Sequence, residues 1–417
     1  MPTPITAPTR GQSASVATAA RSRLAFWAAS TSLVATFAAS ASPVPLFNSY
    51  RSVFGFTTAD ISLAVVCYFA GTIFSLLFLG RLASHVGRKP TALATLALLA
   101  GGSAVLLNVS GLGWLLTGRL LMGLGAGLAS SGLTSYIVDV APPTPAWIGS
   151  VASSQAPNLG LAIGAVGAGA LVEHGPWPTR LVYLVAIGWL AISAALIAIS
   201  PETVPPAPGA WRSLRPRVHV PPRSMPLLPV AAAVFVATWS VGAFYQAFVP
   251  ALVADQLHTS SALVFGLVFC SYMAPNVLGA PISGRFTVAG AQRLGMGIFL
   301  AGAAGLLTGV LTDSLPVFIV ASMIAGTGQG VAMSSSVRGL LHGSDPAERA
   351  PIFAVIFLIS YSGAAGASLV AGQLSGFLTL VQLMSGYVGL ALLATLIVIP
   401  LARNPRPSGT EILDRRV

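Results

Sequence analysis

The sequence predicts an all-α membrane protein of about twelve transmembrane helices in two pseudo-symmetric six-helix bundles. Three observations lead there. Of 417 residues, 55% are hydrophobic and 7% charged, whereas a soluble chain carries about 25% charged residues. So few charges cannot cover a water-facing surface, so most of the surface must face lipid. Apolar runs of roughly 20 residues, the length that crosses a hydrocarbon core as helix, recur along the whole chain. Motifs of the first half also return in the second at a nearly constant offset.

The first six spans fall near 24–47, 57–79, 91–109, 114–138, 147–172 and 180–200. The second six fall near 227–253, 260–282, 291–311, 315–340, 350–376 and 380–401. Gly111 and Gly113 break the stretch 91–138, and Asp313 and Pro316 break 291–340, since such residues mark turns between periodic segments. Residues 1–23, rich in Thr, Ser and Ala, read as a polar N-terminal tail, and 402–417 as a C-terminal tail. The one long interruption, 201–226, is proline-rich and holds Arg212, Arg215, Arg217 and Arg223 with a single acid, Glu202. It reads as a mobile linker between bundles 24–200 and 227–401.

Charge sets the orientation. The formal net charge is +11, and of the 21 Lys and Arg residues only Arg51 and Arg180 fall on the side opposite the N-terminus. The positive-inside rule then places both termini in the cytoplasm, makes the span count even, and fits an integral protein of the plasma (cytoplasmic) membrane. The basic residues are scattered between apolar runs. Nucleic-acid binding is excluded, because it needs a clustered basic face with interleaved aromatics. Cys67 and Cys270 lie in apolar runs without a C-x-x-C pair or neighbouring histidine, so neither a metal site nor a cofactor is expected. The five histidines, His85, His174, His219, His258 and His342, lie outside the predicted spans. With no buried acid pair either, no catalytic site is expected.

The halves repeat at an offset of 203 to 205 residues. Gly123-x-Gly125-x-Gly127 returns as Gly326-x-Gly328-x-Gly330, Tyr68 and Gly80-Arg81 as Tyr272 and Gly284-Arg285, Gly160 and Gly169 as Gly363 and Gly372, and Pro45 as Pro250. Parallel repeats of this kind place a transporter's substrate site near the midplane between the halves. Gly123, Gly127, Gly160 and Gly164 have small-xxx-small spacing, which lets helix backbones approach closely. These glycines read as packing surfaces.

Three motifs carry a family resemblance. Between spans two and three, Gly80-Arg81-Leu82-Ala83-Ser84-His85-Val86-Gly87-Arg88-Lys89-Pro90 resembles the signature loop of the major facilitator superfamily, G-x-L-a-D-r-x-G-r-r. In the fourth span, Leu115 to Gly125, with Arg119 at its centre, resembles the family's l-x-x-x-R-x-x-x-G-x-G pattern. In the fifth, Ala156-Pro157-Asn158-Leu159-Gly160 is similar to the G-P-x-x-G-G pattern of the family's exporters. The resemblance implies a secondary active transporter of small organic molecules, working as a monomer by alternating access. Protons as the coupling ion are likewise implied by the family rather than by these residues.

The loop has its own physical logic. Gly80 and Gly87 permit a tight turn at the inner mouth, and Arg88 and Lys89 anchor it on an anionic leaflet. In the family an acid of this loop latches the inner gate. Here Ser84 stands at that position and His85 at the usual basic one. The charge latch is therefore expected to be weak, although Ser84 has the chemistry to cap a facing helix end. The plainer alternative is a basic turn that only sets topology.

Arg119 is the only charge placed within a span, where it needs a partner or water. It either contacts substrate or a coupling step, or it snorkels to the outer headgroups. The ten acids all fall in loops, tails or span ends. Asp60 is read as a helix N-cap and Asp139 as a gate partner for the nearby basic loop. With no buried acid to select cations, the substrate is expected to be neutral or anionic. Gln155, Asn158, Trp239, Tyr245, Gln246, Tyr272, Asn276, Gln329 and Tyr361 are the polar and aromatic span residues that either line the substrate cavity or bond a neighbouring helix. The exporter-like pattern at Pro157 points to efflux of drugs or metabolites, and the family resemblance implies antiport of protons. Uptake or facilitation of a neutral or anionic metabolite is the alternative, and a non-transporting receptor or intramembrane enzyme a remote one.

Overall fold

Lipid offers no hydrogen-bond partners, so a chain crossing it must satisfy its backbone within helices. Among the residues described by the computed structural model, 10–145, 148–216 and 220–406, twelve helices are long and apolar enough to cross a membrane. In the first half they are α1 (Ser22–Phe54), α2 (Thr58–Leu79), α3 (Arg88–Leu106), α4 (Leu112–Val140), α5 (Ile148–His174) and α6 (Pro178–Ile199). In the second they are α7 (Met225–Ala247), α8 (Ala262–Ser283), α9 (Val288–Leu311), α10 (Leu315–Leu341), α11 (Pro351–Leu374) and α12 (Leu380–Leu401). Short connections make successive helices antiparallel.

Three boundaries differ from expectation. The helix that continues into α1 starts at Arg10, so part of the expected tail 1–23 is helical. Its Ala-rich run favours that state. At the other end α1 bends rather than stops: Pro43 and Pro45 interrupt it, a tight turn spans Val44–Leu46, and helix resumes at Phe47–Phe54. In the second half α7 ends at Ala247, and a separate helix Val249–Gln256 follows with Pro250 in its first turn, where the missing N–H is harmless. Asp60 is not an N-cap. Thr57 holds that position, and Asp60, the third residue of the helix, is its partner in a reciprocal capping box. The tail residues 1–9 and 407–417 and the linker residues 217–219 lie outside the described residues.

Within each half, α4 and α10 pack in the same way. A Cβ on Gly123 of α4 would fall 2.1 Å from the Tyr68 carbonyl oxygen of α2, and one on Gly326 of α10 would fall 2.1 Å from the Tyr272 carbonyl oxygen of α8. One turn on, Gly127 meets the Thr72 carbonyl at 2.7 Å and Gly330 the Asn276 carbonyl at 2.5 Å. Gly125 and Gly328 face the neighbouring α3 and α9. Gly160 and Gly164 seat α5 on α1 at Val34 and Ala38, and Gly363 seats α11 on α7 at Val236.

The two bundles meet along α5–α8 and α2–α11, two crossings related by the repeat. At the first, a Cβ on Gly266 would lie 2.4 Å from the Ala165 carbonyl oxygen. At the second, the equivalent of Gly266 is Ser62, whose hydroxyl donates to the Ser368 carbonyl at 2.6 Å. Further polar contacts join the bundles on the face opposite the termini and the linker. Asn48 donates to the Pro250 carbonyl at 2.6 Å, Arg51 pairs with Asp255 at 3.4 Å, and Glu173 accepts from Ser261 and from the Leu263 N–H. A cleft of about 950 Å³ opens on this far face, bordered by Asn48, Arg51, Phe56, Glu173, Asp255 and His258.

Gly123→Ala and Gly326→Ala are each expected to overpack their crossings and lower stability by about 1–3 kcal/mol. Gly101→Ala, where a Cβ meets nothing within 4 Å, should leave apparent Tm in detergent unchanged. Equal behaviour of the three variants would contradict the packing role.

Candidate functional site

The break in α1 prepares the site. Proline has no N–H, so Pro43 and Pro45 deprive the carbonyls one turn earlier of their helical partners. Ser42 donates its hydroxyl to the Ala39 carbonyl at 2.8 Å. The Ser40 carbonyl, in the last turn before the helix ends at Ala41 and so without a helical partner, receives Nη1 of Arg119 at 2.8 Å. Nη2 of Arg119 reaches across to the second bundle and donates to Oε1 of Gln246 on α7 at 3.1 Å. The guanidinium carbon lies 4.5 Å from the centre of the Tyr68 ring and 5.9 Å from that of Phe47.

Arg119 is 0% exposed, so it does not snorkel to the headgroups. Among the described residues no ion pair includes it. A guanidinium cannot shed its proton, and placing it at mid-membrane costs roughly 2.5–3.5 kcal/mol on insertion scales. Hydrogen bonds to a charged group contribute about 1.5–3 kcal/mol each and a desolvated ring contact about 2 kcal/mol. These terms offset the burial, yet Nε keeps no partner.

Rings extend from Arg119 along the bundle interface. Tyr68 touches Phe69 at 5.6 Å, and Phe69 meets Tyr361 of α11 across the interface at 5.7 Å. Tyr361 packs edge-on against Trp239 of α7 at 4.7 Å and over Phe357 at 6.0 Å. The Trp239 indole N–H has no hydrogen-bond partner.

Other sequence candidates lie elsewhere. Tyr245 and Tyr272 do not line this interface. They stack on each other at 4.2 Å, both 0% exposed, inside the second bundle. Tyr245 bonds Ser322, and Tyr272 donates to the Thr238 carbonyl, so neither hydroxyl is available. Asn276 donates to Gln329 at 3.3 Å, joining α8 to α10. Gln155 and Asn158 lie on α5, where the Gln155 amide donates to Ser154 and its carbonyl oxygen stays unpaired. Phe47, Tyr68 and the Ser40 carbonyl were missed by sequence reasoning. The paired prolines of α1 were the available signal.

On the terminal face, the loop acid absent at Ser84 is replaced from a distance. Glu202, just after α6, accepts from the backbone N–H of Arg88 at 2.8 Å and of Lys89 at 3.0 Å, capping the start of α3. Gly87 makes room with φ of 112°, since a Cβ there would lie 2.6 Å from the Glu202 carboxylate. Arg88 donates Nε to Asp139 at 2.8 Å, and Thr203 joins the same carboxylate at 3.2 Å. Ser84 is exposed and its hydroxyl caps no helix among the described residues. The linker, expected to be mobile, is pinned: Ala207 N–H donates to the His85 carbonyl at 2.8 Å, and Arg81 donates to the Ser213 and Arg215 carbonyls at 3.0 Å each. Gly80, one turn before this loop, ends α2.

Comparison with known proteins adds to this geometry. The model of the Major Facilitator Superfamily matches residues 28–367. The chain belongs to this superfamily. The relatives that follow are named as transporters, permeases or cotransporters. The chain is 29% identical over 267 residues to the inner membrane transport protein YnfM of Escherichia coli, covering 61% of each chain. A probable quinate permease of Aspergillus clavatus is 34% identical over 107 residues, 23% of this chain and 20% of the permease. The human proton myo-inositol cotransporter is 44% identical over 64 residues, 15% and 10% of the two chains. The matches thus span about three fifths or less of these relatives' lengths. A D-xylose–proton symporter superposes with a TM-score of 0.73 at 14% identity, over 91% of this chain and 98% of the symporter. A nucleoside transporter superposes at 0.68 and 11% identity, over 91% and 100%. Both share this chain's fold.

If Glu202 holds the linker on the terminal face, Glu202→Ala should speed limited proteolysis within 203–216 several-fold while far-face segments stay protected. Cleavage at the wild-type rate would remove that role.

Proposed function

We propose that this transporter is a secondary carrier that takes up a small neutral or anionic organic solute, with Arg119 at the substrate site. The observation that carries the reading is the Arg119–Gln246 hydrogen bond. It is a charged contact between α4 of one bundle and α7 of the other, at the interface where alternating access must open and close. The charge bias of the loops supports cytoplasmic termini and linker. In that orientation the contacts of Asn48, Arg51, Ser62 and Glu173 hold the bundles together on the outer side, around the cleft there. Relatives named for quinate and myo-inositol favour uptake over export. Among the described residues every carboxylate sits in a loop or at a span end, so the reading needs no proton relay through the protein.

Export is the second reading, favoured by Pro157 inside α5 within an exporter-like motif. Orientation-controlled counterflow in proteoliposomes separates the two. The carrier should exchange radiolabelled sugars, cyclitols or organic acids. Arg119→Ala, reconstituted to the same density, should lose at least about 90% of exchange, the tenfold that about 1.4 kcal/mol represents. Undiminished exchange by the variant would exclude Arg119 from the substrate site. Solute accumulation from outside by intact cells supports uptake, and net extrusion supports export.

A further inference from the structure

We infer that the substrate is a monocarboxylate with a flat ring, its carboxylate replacing Gln246 on Arg119 and its ring lying along Trp239 and Tyr361. This rests on the carrier reading above and names its substrate class.

The first reason is the missing counter-charge. Arg119 is fully buried, and its partners are a backbone carbonyl, an amide oxygen and two ring faces. All are neutral, and no carboxylate among the described residues pairs with it. A guanidinium cannot become neutral to escape burial. An anion entering the interface supplies what the protein withholds.

The second reason is the geometry of the fork. Nε–H and Nη2–H form the side edge of a guanidinium, the edge a carboxylate grips with two parallel bonds. Here Nη2 holds Gln246 at 3.1 Å and Nε holds nothing. The edge is half used. Ser40 and the two rings are fixed by packed helices, whereas Gln246 is a partly buried side chain able to turn away. A carboxylate replaces one neutral acceptor with two charged ones. It also releases a bond between the bundles, which couples binding to their separation.

The third reason is the distance to the next unpaired donor. Trp239 precedes Gln246 by seven residues on α7, two turns and about 10 Å along the same face. Its indole N–H is unpaired, and Tyr361, Phe357 and Phe69 extend its apolar surface. A ring seated there presents an oxygen substituent to the indole while its carboxylate reaches Arg119. Amines are excluded by the charge of Arg119.

The test is counterflow in proteoliposomes with 4-hydroxybenzoate, its neutral isostere 4-hydroxybenzamide, benzylamine and myo-inositol as probes. The acid should exchange at least about tenfold faster than the amide, and benzylamine should not exchange. Arg119→Lys keeps the charge but loses the two-pronged edge, and it should cut the preference for acid over amide several-fold. Trp239→Phe keeps the ring and loses the donor, so it should abolish the advantage of 4-hydroxybenzoate over benzoate. Equal exchange of acid and amide would overturn the inference, as would exchange of myo-inositol alone. Either result leaves the carrier reading in place. Exchange of no solute, across these probes and the wider panel above, would remove that reading and this inference together.

Discussion

Inside a bilayer a carbonyl left without a helical partner must find a donor within the protein, and the centre of this protein is arranged around one such group. The regular helix of α1 ends at Ala41 ahead of its two prolines, which leaves the Ser40 carbonyl in the last turn without a helical partner, and Arg119 of α4 satisfies it. The same side chain then reaches Gln246 in the other bundle. A backbone defect, a buried charge and the contact between halves are thus one interaction. Each alone would be costly in lipid. Together they leave one unpaired donor on the guanidinium, Nε, beside the bond to the other bundle.

The bundles are held by two crossings that the repeat makes equivalent but the side chains make different. At α5–α8, Gly266 brings backbone against backbone at Ala165. At α2–α11, the equivalent Ser62 spends a hydroxyl on the Ser368 carbonyl. At these two positions the first crossing relies on packing, with its hydrogen bonds left to Glu173 at the end of α5, and the second adds a hydrogen bond worth about 1 kcal/mol net. Polar contacts at Asn48, Arg51 and Glu173 reinforce the far face. Contacts of this size are individually small, so no single one fixes the interface.

The terminal face shows how a motif can lose a residue and keep its physics. Ser84 stands where the superfamily's loop carries an acid, and sequence reasoning expected a weak latch. Glu202 provides a carboxylate from after α6, and the left-handed backbone of Gly87 makes space for it. It caps α3 within its own bundle. The linker that follows is drawn against the loop, because its N–H and carbonyl groups pair with His85 and Arg81. What looked like a free tether is a strap across the mouth of the first bundle.

Composition and spacing alone determined the twelve spans, the two halves, the bias of positive charge and the singular position of Arg119. These follow from one-dimensional demands: a bilayer imposes length and apolarity on each segment, and loop charge is counted along the chain. The repeat was legible for the same reason, since Gly123 and Gly326 mark identical crossings. Only the tertiary structure decided which polar residues meet. Tyr245 and Gln246 are neighbours in sequence, yet one is sealed within the second bundle and the other faces Arg119. A span that is apolar all round carries no periodic mark of the face that meets its partner. The direction of each side chain was therefore fixed by the helices packed against it, with Tyr272 and Ser322 holding Tyr245 and Arg119 meeting Gln246.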